Sequence, residues 1–276
     1  MLPRPTTWWI VFRISVAERL VYRADFALGT LMRFLPIVTQ IFLWGAVFAG
    51  MEATQSSRRD IAGYSFPDFI AYYLLTMISR AFSSMPGLAS GIARDIRDGS
   101  IKKYLIQPID MLGFLLLNRV AHKLVYYAVA LVPFALVFTL CRGYLPECPG
   151  PAIWLAFFAS LAMAFLLGFL MEATLGMIGF WFLEVSSLLF IFMLVSFFCS
   201  GHMFPIDMLP GVWQHVVRAI PLQYLAYFPA AIFLGKVRGV ELAAGLAIQA
   251  AWVLLFLAAA RLAFHFGVRR YSGFGG

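Results

Sequence analysis

The chain has 276 residues, of which 62% are hydrophobic, 17% aromatic and only 12% charged, and its mean hydropathy is +0.87. A soluble domain needs a much larger polar fraction to cover its exterior, so the composition excludes that class and indicates an integral membrane protein. The net charge of +8 does not indicate nucleic-acid binding, because the basic residues stand as singles and pairs beside apolar stretches rather than clustered with stacking aromatics.

The first stretch, MLPRPTTWWIVFRISVAERLVYRADF, is interrupted by Arg13, Glu18, Arg19 and Arg23 where a cleavable signal would need an apolar run, so it is expected to be retained. Ile10, Ile14, Ala17 and Val21 recur at helical spacing, with Arg19 and Arg23 on the far side. That pattern predicts an amphipathic helix over residues 1–25, lying in the membrane interface. A plain extension of the first span is the competing reading.

A crossing helix needs about 20 mostly apolar residues. Residues 26–50, 66–91 and 109–140 supply three spans, with Arg80 inside the second and Arg119, His122 and Lys123 in the first half of the third. Residues 152–200 are too long for one helix and suit two, joined by a turn somewhere between Glu172 and the Glu184–Ser186 corner. Residues 242–266 form the last span.

Between the second and third spans runs ARDIRDGSIKKYLIQP, within residues 92–108, a charged loop in an apolar chain. Gly99 is placed to end the helix before it, Ser100 to N-cap a short second helix, and Pro108 to stop that helix. Ile101, Tyr104 and Leu105 then share one flank, and Lys102 and Lys103 another. Such a helix presents an apolar surface either to a partner or to lipid headgroups.

Residues 201–239, apolar but cut by Pro205, Pro210, Pro221 and Pro229, read as two short helices that dip back into the membrane from outside. The competing reading makes residues 222–237 a seventh span. With six spans and an inside N-terminus, Arg4, Arg13, Arg19, Arg23, Arg94, Arg97, Lys102, Lys103, Arg119, Lys123, Arg261, Arg269 and Arg270 fall on the cytoplasmic side. Arg58, Arg59, Arg142, Arg218, Lys236 and Arg238 fall outside. The excess of basic residues inside selects six spans, since a seventh would export Arg269 and Arg270.

Motifs for chemistry are few. No G-x-x-x-x-G-K-[ST] phosphate loop, G-x-S-x-G or H-E-x-x-H occurs, so energy for any transport must come from a partner or an ion gradient. His202, Asp207 and His215 have spacings that match no common metal site, and no metal is expected. Cys141 and Cys148 share an outside loop and could bridge or stay free, and with Cys199 the count is odd. GLASG, residues 87–91, has the G-x-x-x-G spacing of close helix packing. Arg80, Glu172 and Glu184 are intramembrane ionisable residues, which leaves open an ion-coupled secondary transporter built on them.

DGSIKKYLIQPID in the loop, then SGHMFPIDMLP, IPLQYLAYFP and a final span, resemble the permease subunits of type-two ATP-binding-cassette transporters over essentially the whole chain. The most specific matches are Gly99, Pro108, Ser200, Gly201, Phe204, Pro205, Leu209, Pro210, Ile220, Pro221, Tyr224, Pro229 and Gly235. The chain is similar to the small single-domain permeases of bacterial exporters. The resemblance implies an all-α domain of six transmembrane helices with an interfacial N-terminal helix, a cytoplasmic coupling helix and an extracellular re-entrant hairpin. Gly99, Ser100, Ile101, Tyr104, Leu105 and Pro108 would belong to the coupling helix, seated on a separate ATPase subunit. Phe204, Pro205, Pro210, Pro221, Tyr224 and Pro229 would belong to the outer gate. It further implies two ATPase copies that bind ATP and magnesium, a second permease (identical or related), lipid surroundings, no nucleic acid, no cofactor in this chain, and a bacterial inner membrane with both termini cytoplasmic.

Overall fold

A computed structural model describes residues 5–21, 23–53, 60–107, 109–182 and 184–271. Among them the chain is helical, with short 3-10 turns and one isolated bridge between Ile61 and Tyr64. The helices are α1 (Pro5–Val21), α2 (Arg23–Ala53), α3 (Phe66–Ser83), α4 (Leu88–Arg97), α5 (Lys102–Leu105), α6 (Met111–Leu140), α7 (Pro151–Met177), α8 (Ser186–Cys199), α9 (Gly211–Ala219), α10 (Tyr227–Phe233) and α11 (Gly239–Arg270).

Helix starts follow local chemistry. Ser65 accepts from the Asp68 amide at 3.4 Å while the Asp68 carboxylate accepts from the Ser65 amide at 3.1 Å, a capping box that opens α3. Asp110 accepts from the Gly113 amide at 2.7 Å and opens α6. Pro151 begins α7, where its missing donor costs nothing.

Among the described residues, four helical segments are long and apolar enough to cross a bilayer: Phe34–Ala53, Met111–Leu140, Pro151–Phe180 and Gly239–Arg270. The α7 segment is the axis of the molecule, with 13 of its 27 residues buried against 3 of the 32 in α11. Helices α3, α4, α10 and α11 all pack on it. Close approach depends on absent side chains, as expected where lipid offers no hydrophobic drive for helix association. A Cβ on Gly168 of α7 would lie 2.1 Å from the Ser83 carbonyl oxygen. GLASG does not play this part, since Cβ atoms on Gly87 and Gly91 would meet nothing within 4 Å. Polar pairing is buried where α7 meets α11: Ser160 donates to Gln249 Oε1 at 2.9 Å and Gln249 Nε2 donates back to the Ser160 carbonyl at 3.0 Å.

Outward faces are apolar. Phe42 and Leu43 on α2, Leu131, Val132 and Leu136 on α6, Phe190 and Ile191 on α8, and Leu254 and Leu255 on α11 are exposed. Together they form a surface far larger than a soluble monomer tolerates, and it matches a lipid-facing belt.

Residues 66–91, read from sequence as one span, form two helices. The helix breaks after Ser83 and restarts at Leu88, with Gly87 at φ +72°. After α7 the chain turns at Trp181, and α8 begins at Ser186; its only buried residue among its 14 is Ser196.

Candidate functional site

Helices α3 and α4 run between two ends of different character. At one end lie the charged loop, the α7–α8 corner and the last turns of α11. Lys103 Nζ donates to Asp95 at 2.8 Å, Arg97 lies 3.6 Å from Glu184, and Arg261 pairs with Asp110. Helix α1 joins this end through Ser15, whose hydroxyl donates to Asn118 Oδ1 at 2.8 Å, while Ile10 and Ile14 stay exposed on its other face.

Gly99, at φ +77°, ends α4 with the Ile101 amide bonded back to the Asp95 carbonyl at 2.8 Å. Ser100 does not N-cap α5; among the described residues that helix starts from Ile101 with no side-chain cap. The expected apolar flank divides in three. Ile101 is fully buried, packed in the permease's own core with Ile96, Met111 and Met177. Tyr104 is half-buried, its ring centroid 5.6 Å from that of Phe114. Leu105 is partly exposed, at 38%, and Ile106 is mostly exposed, at 81%. Ile106 was missed by sequence reasoning, because it lies beyond the flank that a continuing helix would form. Pro108 lies outside the described residues, as do Arg4, Arg58 and Arg59. Burial draws the Lys103 ammonium down, but its hydrogen bond to Asp95 and the neighbouring Tyr104 outweigh that and raise its pKa, so the ammonium is charged at neutral pH.

Glu184 is not buried in the membrane-crossing helices. It sits in the corner between α7 and α8, accepts from the Ser186 amide at 2.8 Å and leaves 65% of its side chain exposed. The hydrogen bonds from Ser186 and the charge of Arg97 hold its pKa below the usual carboxylate value.

The other end is occupied by residues 200–238. Asp207 accepts from Tyr64 at 2.7 Å, Tyr227 at 2.8 Å and Arg218 at 2.6 Å, tying the start of α3 to α9 and α10. Burial and the Asp207 carboxylate push both phenols well above their ordinary pKa, so they remain donors. Tyr73 donates to the Met203 carbonyl at 2.8 Å, Tyr72 to the Gly201 carbonyl, and Lys236 to Asp68 at 3.3 Å. Gly201 has φ +78°, and a Cβ there would lie 2.6 Å from the Tyr227 Cβ, so only glycine fits. Pro205, Pro221, Tyr224 and Pro229 are buried, Pro210 precedes α9, and the Phe204 carbonyl lies 3.5 Å from the Tyr72 hydroxyl. Pro229 falls in the first turn of α10, where no intrahelical donor is lost. Helix α10 is only seven residues long and is buried against α3 and α7.

Between the two ends lies the break at residues 84–87. A broken helix at membrane depth frees backbone groups that need partners. Lys123 donates to the Ala81 and Ser84 carbonyls and Arg119 to the Pro86 carbonyl at 3.0 Å, while the Glu172 carboxylate lies against the Met85 and Ala89 amides at the start of α4. Two cavities flank the break, of about 420 and 380 Å3, and Arg80 lines both. Among the described residues no group of three His, Cys, Asp or Glu side chains is placed to hold a metal. Cys141 and Cys148 are free thiols, the first buried and the second exposed.

Compared with known families, residues 34–275 match the model described as "ABC-2 family transporter protein". The chain belongs to this family. No curated protein matches it. As an ABC-2 family protein it is a multi-pass membrane permease, a transport component rather than a catalytic domain, and the family implies association with an ATPase subunit. The match begins inside α2, so α1 lies outside the family region. It takes in the loop end, the break and the hairpin end together.

Proposed function

We propose that this ABC-2 permease exports an apolar or amphipathic molecule by alternating access, driven by two copies of a separate ATPase subunit that bind ATP and magnesium. It pairs with a second permease, identical or related, in a bacterial inner membrane, with both termini cytoplasmic. The observation that carries this reading is the exposed pair Leu105 and Ile106, presented on a turn braced by the Asp95–Lys103 ion pair while Ile101 roots that turn in the permease core. Anchored on one side and bare on the other, the turn is suited to pass motion from a docked ATPase into α4 and α6. Closure of the ATPases then switches the permease pair between two rigid-body states.

Six crossings, by α2, α3–α4, α6, α7, α8 and α11, fit the contacts at the two ends. The start of α6 and the end of α11 meet through Asp110 and Arg261, which suits an even number of crossings. The seven residues of α10 would extend about 10 Å, far short of the roughly 30 Å of hydrocarbon. The hairpin is therefore read as re-entrant, a gate held shut by the Asp207 cluster. An ion-coupled secondary transporter built on Arg80, Glu172 and Glu184 has less support, since Glu184 is exposed and Glu172 caps α4.

Copurification and thiol labelling test the reading. The chain should bring down an ATPase subunit and should hydrolyse no ATP alone. Cysteines at Val212 and Val240, both exposed, should react with a membrane-impermeant reagent from outside, and one at Ile106 only from the cytoplasm. Opposite-side labelling of Val212 and Val240 would remove the re-entrant hairpin, and proton-driven transport by the chain alone would remove the ATP-driven mechanism.

A further inference from the structure

Helix α1 carries a basic group that the chain does not pair. The helix lies along the first half of α6: a Cβ on Gly113 would lie 3.1 Å from the Trp8 ring, and Ser15 donates to Asn118 at 2.8 Å. Trp8, Ser15 and Arg19 follow one another at helical repeats and share the face of α1 that meets α6. The opposite face, with Trp9, Ile10, Arg13 and Ile14, is exposed.

Arg19 lacks an acceptor. Its Nε is buried without a hydrogen-bond partner, and among the described residues its guanidinium forms no ion pair, not even with the adjacent Glu18. The charge set against it across the contact is that of Arg119, of the same sign. Glu172 does not relieve Arg19, because that carboxylate is drawn to Arg119, to the Met85 and Ala89 amides and to Arg80, and Asp110 is taken by Arg261. A buried donor left unpaired is costly unless something accepts from it. The unpaired atom is an N–H beside a second cation, so a negatively charged acceptor fits it best.

The contact between α1 and α6 belongs to the loop end, beside the lipid-facing belt. Leu20 on α1 and Leu124 on α6 are exposed and offer apolar surface for acyl chains on the same two helices. A guanidinium fork matches a phosphate group, and clustered basic residues at a membrane boundary select anionic headgroups. A choline or ethanolamine headgroup would bring its own ammonium to two arginines, whereas a glycerol headgroup adds no positive charge.

We propose that Arg19, with Arg119 behind it, binds the phosphate of an anionic glycerophospholipid in the leaflet at the loop end, and that this lipid fastens α1 to α6. The inference goes beyond the export reading and does not depend on the cargo. Helix α1 precedes the family region, and neither arginine lines the two cavities beside the helix break.

Native mass spectrometry of the full chain released from detergent tests it, with phosphatidylglycerol and phosphatidylcholine of the same acyl chains offered together. The unmodified chain is expected to retain phosphatidylglycerol preferentially. R19Q should weaken that retention by about 10- to 100-fold, the range for a charge-assisted hydrogen-bonding group. R13Q removes the same charge from the exposed face of α1 and should leave the preference unchanged, because a screened surface charge attracts lipid only diffusely. Glycerol 3-phosphate, which has the phosphate without the chains, should not displace the lipid. Equal retention of the two lipids by the unmodified chain, equal losses in R13Q and R19Q, unchanged retention in folded R19Q, or displacement by glycerol 3-phosphate would each overturn the site. A photoreactive phosphatidylglycerol crosslinked to the unmodified chain should mark peptides containing residues 15–20 and 116–124. Marking confined to other peptides would overturn the assignment even if R19Q does not fold.

Discussion

The hairpin end and the loop end are both built from short helices and turns, yet they are completed differently. At the hairpin end Asp207 accepts from Tyr64, Tyr227 and Arg218, α10 is buried, and Tyr72 and Tyr73 satisfy the carbonyls of the Gly201 turn. At the loop end the ion pairs are exposed, and Leu105 in part and Ile106 for the most part lie open. One end is closed by the chain itself, whereas the other has a rooted base and a bare tip. On the proposed reading that asymmetry separates a gate, which must hold without help, from a docking point, which is complete only with its ATPase.

The largest expected effects come from treating each end as if it were the other. Asp207→Ala removes the shared acceptor of two buried phenols and should cost roughly 2–5 kcal/mol of permease stability, read as a lower melting temperature, with ATPase binding unchanged in the folded fraction. Ile101→Ala should behave likewise despite its place in the loop, losing about 2–5 kcal/mol because it empties a packed core site. Weakened ATPase binding with unchanged melting would return Ile101 to the docking surface.

A smaller effect of the opposite kind is expected from Leu105→Ala combined with Ile106→Ala. Melting should be unchanged, while affinity for the ATPase falls by about 1–3 kcal/mol, the range for truncating interface anchors. Full binding and full transport in this double variant would make the two ends alike and withdraw the docking point.

Acid should affect the hairpin side through His202. Its folded pKa of about 4 lies below the ordinary 6.5, so between those values the unfolded state binds more protons and stability falls as pH falls. A loss of roughly 1–3 kcal/mol between pH 7 and pH 4 is expected. His202→Asn should flatten this part of the melting-versus-pH curve, and an equal slope in that variant would assign the loss to other groups.

The smallest effect is expected at Lys103. Its bond to Asp95 is half-exposed, so Lys103→Ala should change both melting and ATPase affinity by less than about 1 kcal/mol. A larger loss of affinity alone would place the charge itself in the docking surface.

Composition and hydropathy were sufficient for an all-α membrane protein, because a chain this apolar has no soluble alternative. The motifs from Gly99 to Gly235 were sufficient for the family, since turn glycines and prolines mark backbone geometry that side-chain periodicity does not. The interior of the site was less legible. Residues 84–87 look like part of a continuous apolar span, and the break there is held by Lys123, Arg119 and Glu172, on α6 and α7, far away in sequence. Helical spacing placed Ile101 beside Leu105, but it could not say that α6 and α7 would cover the first and leave the second bare. A sequence pattern determines which residues share a face, because that depends on bonds within one helix. Which face is covered depends on helices brought together from elsewhere in the chain, and the tertiary structure decided that.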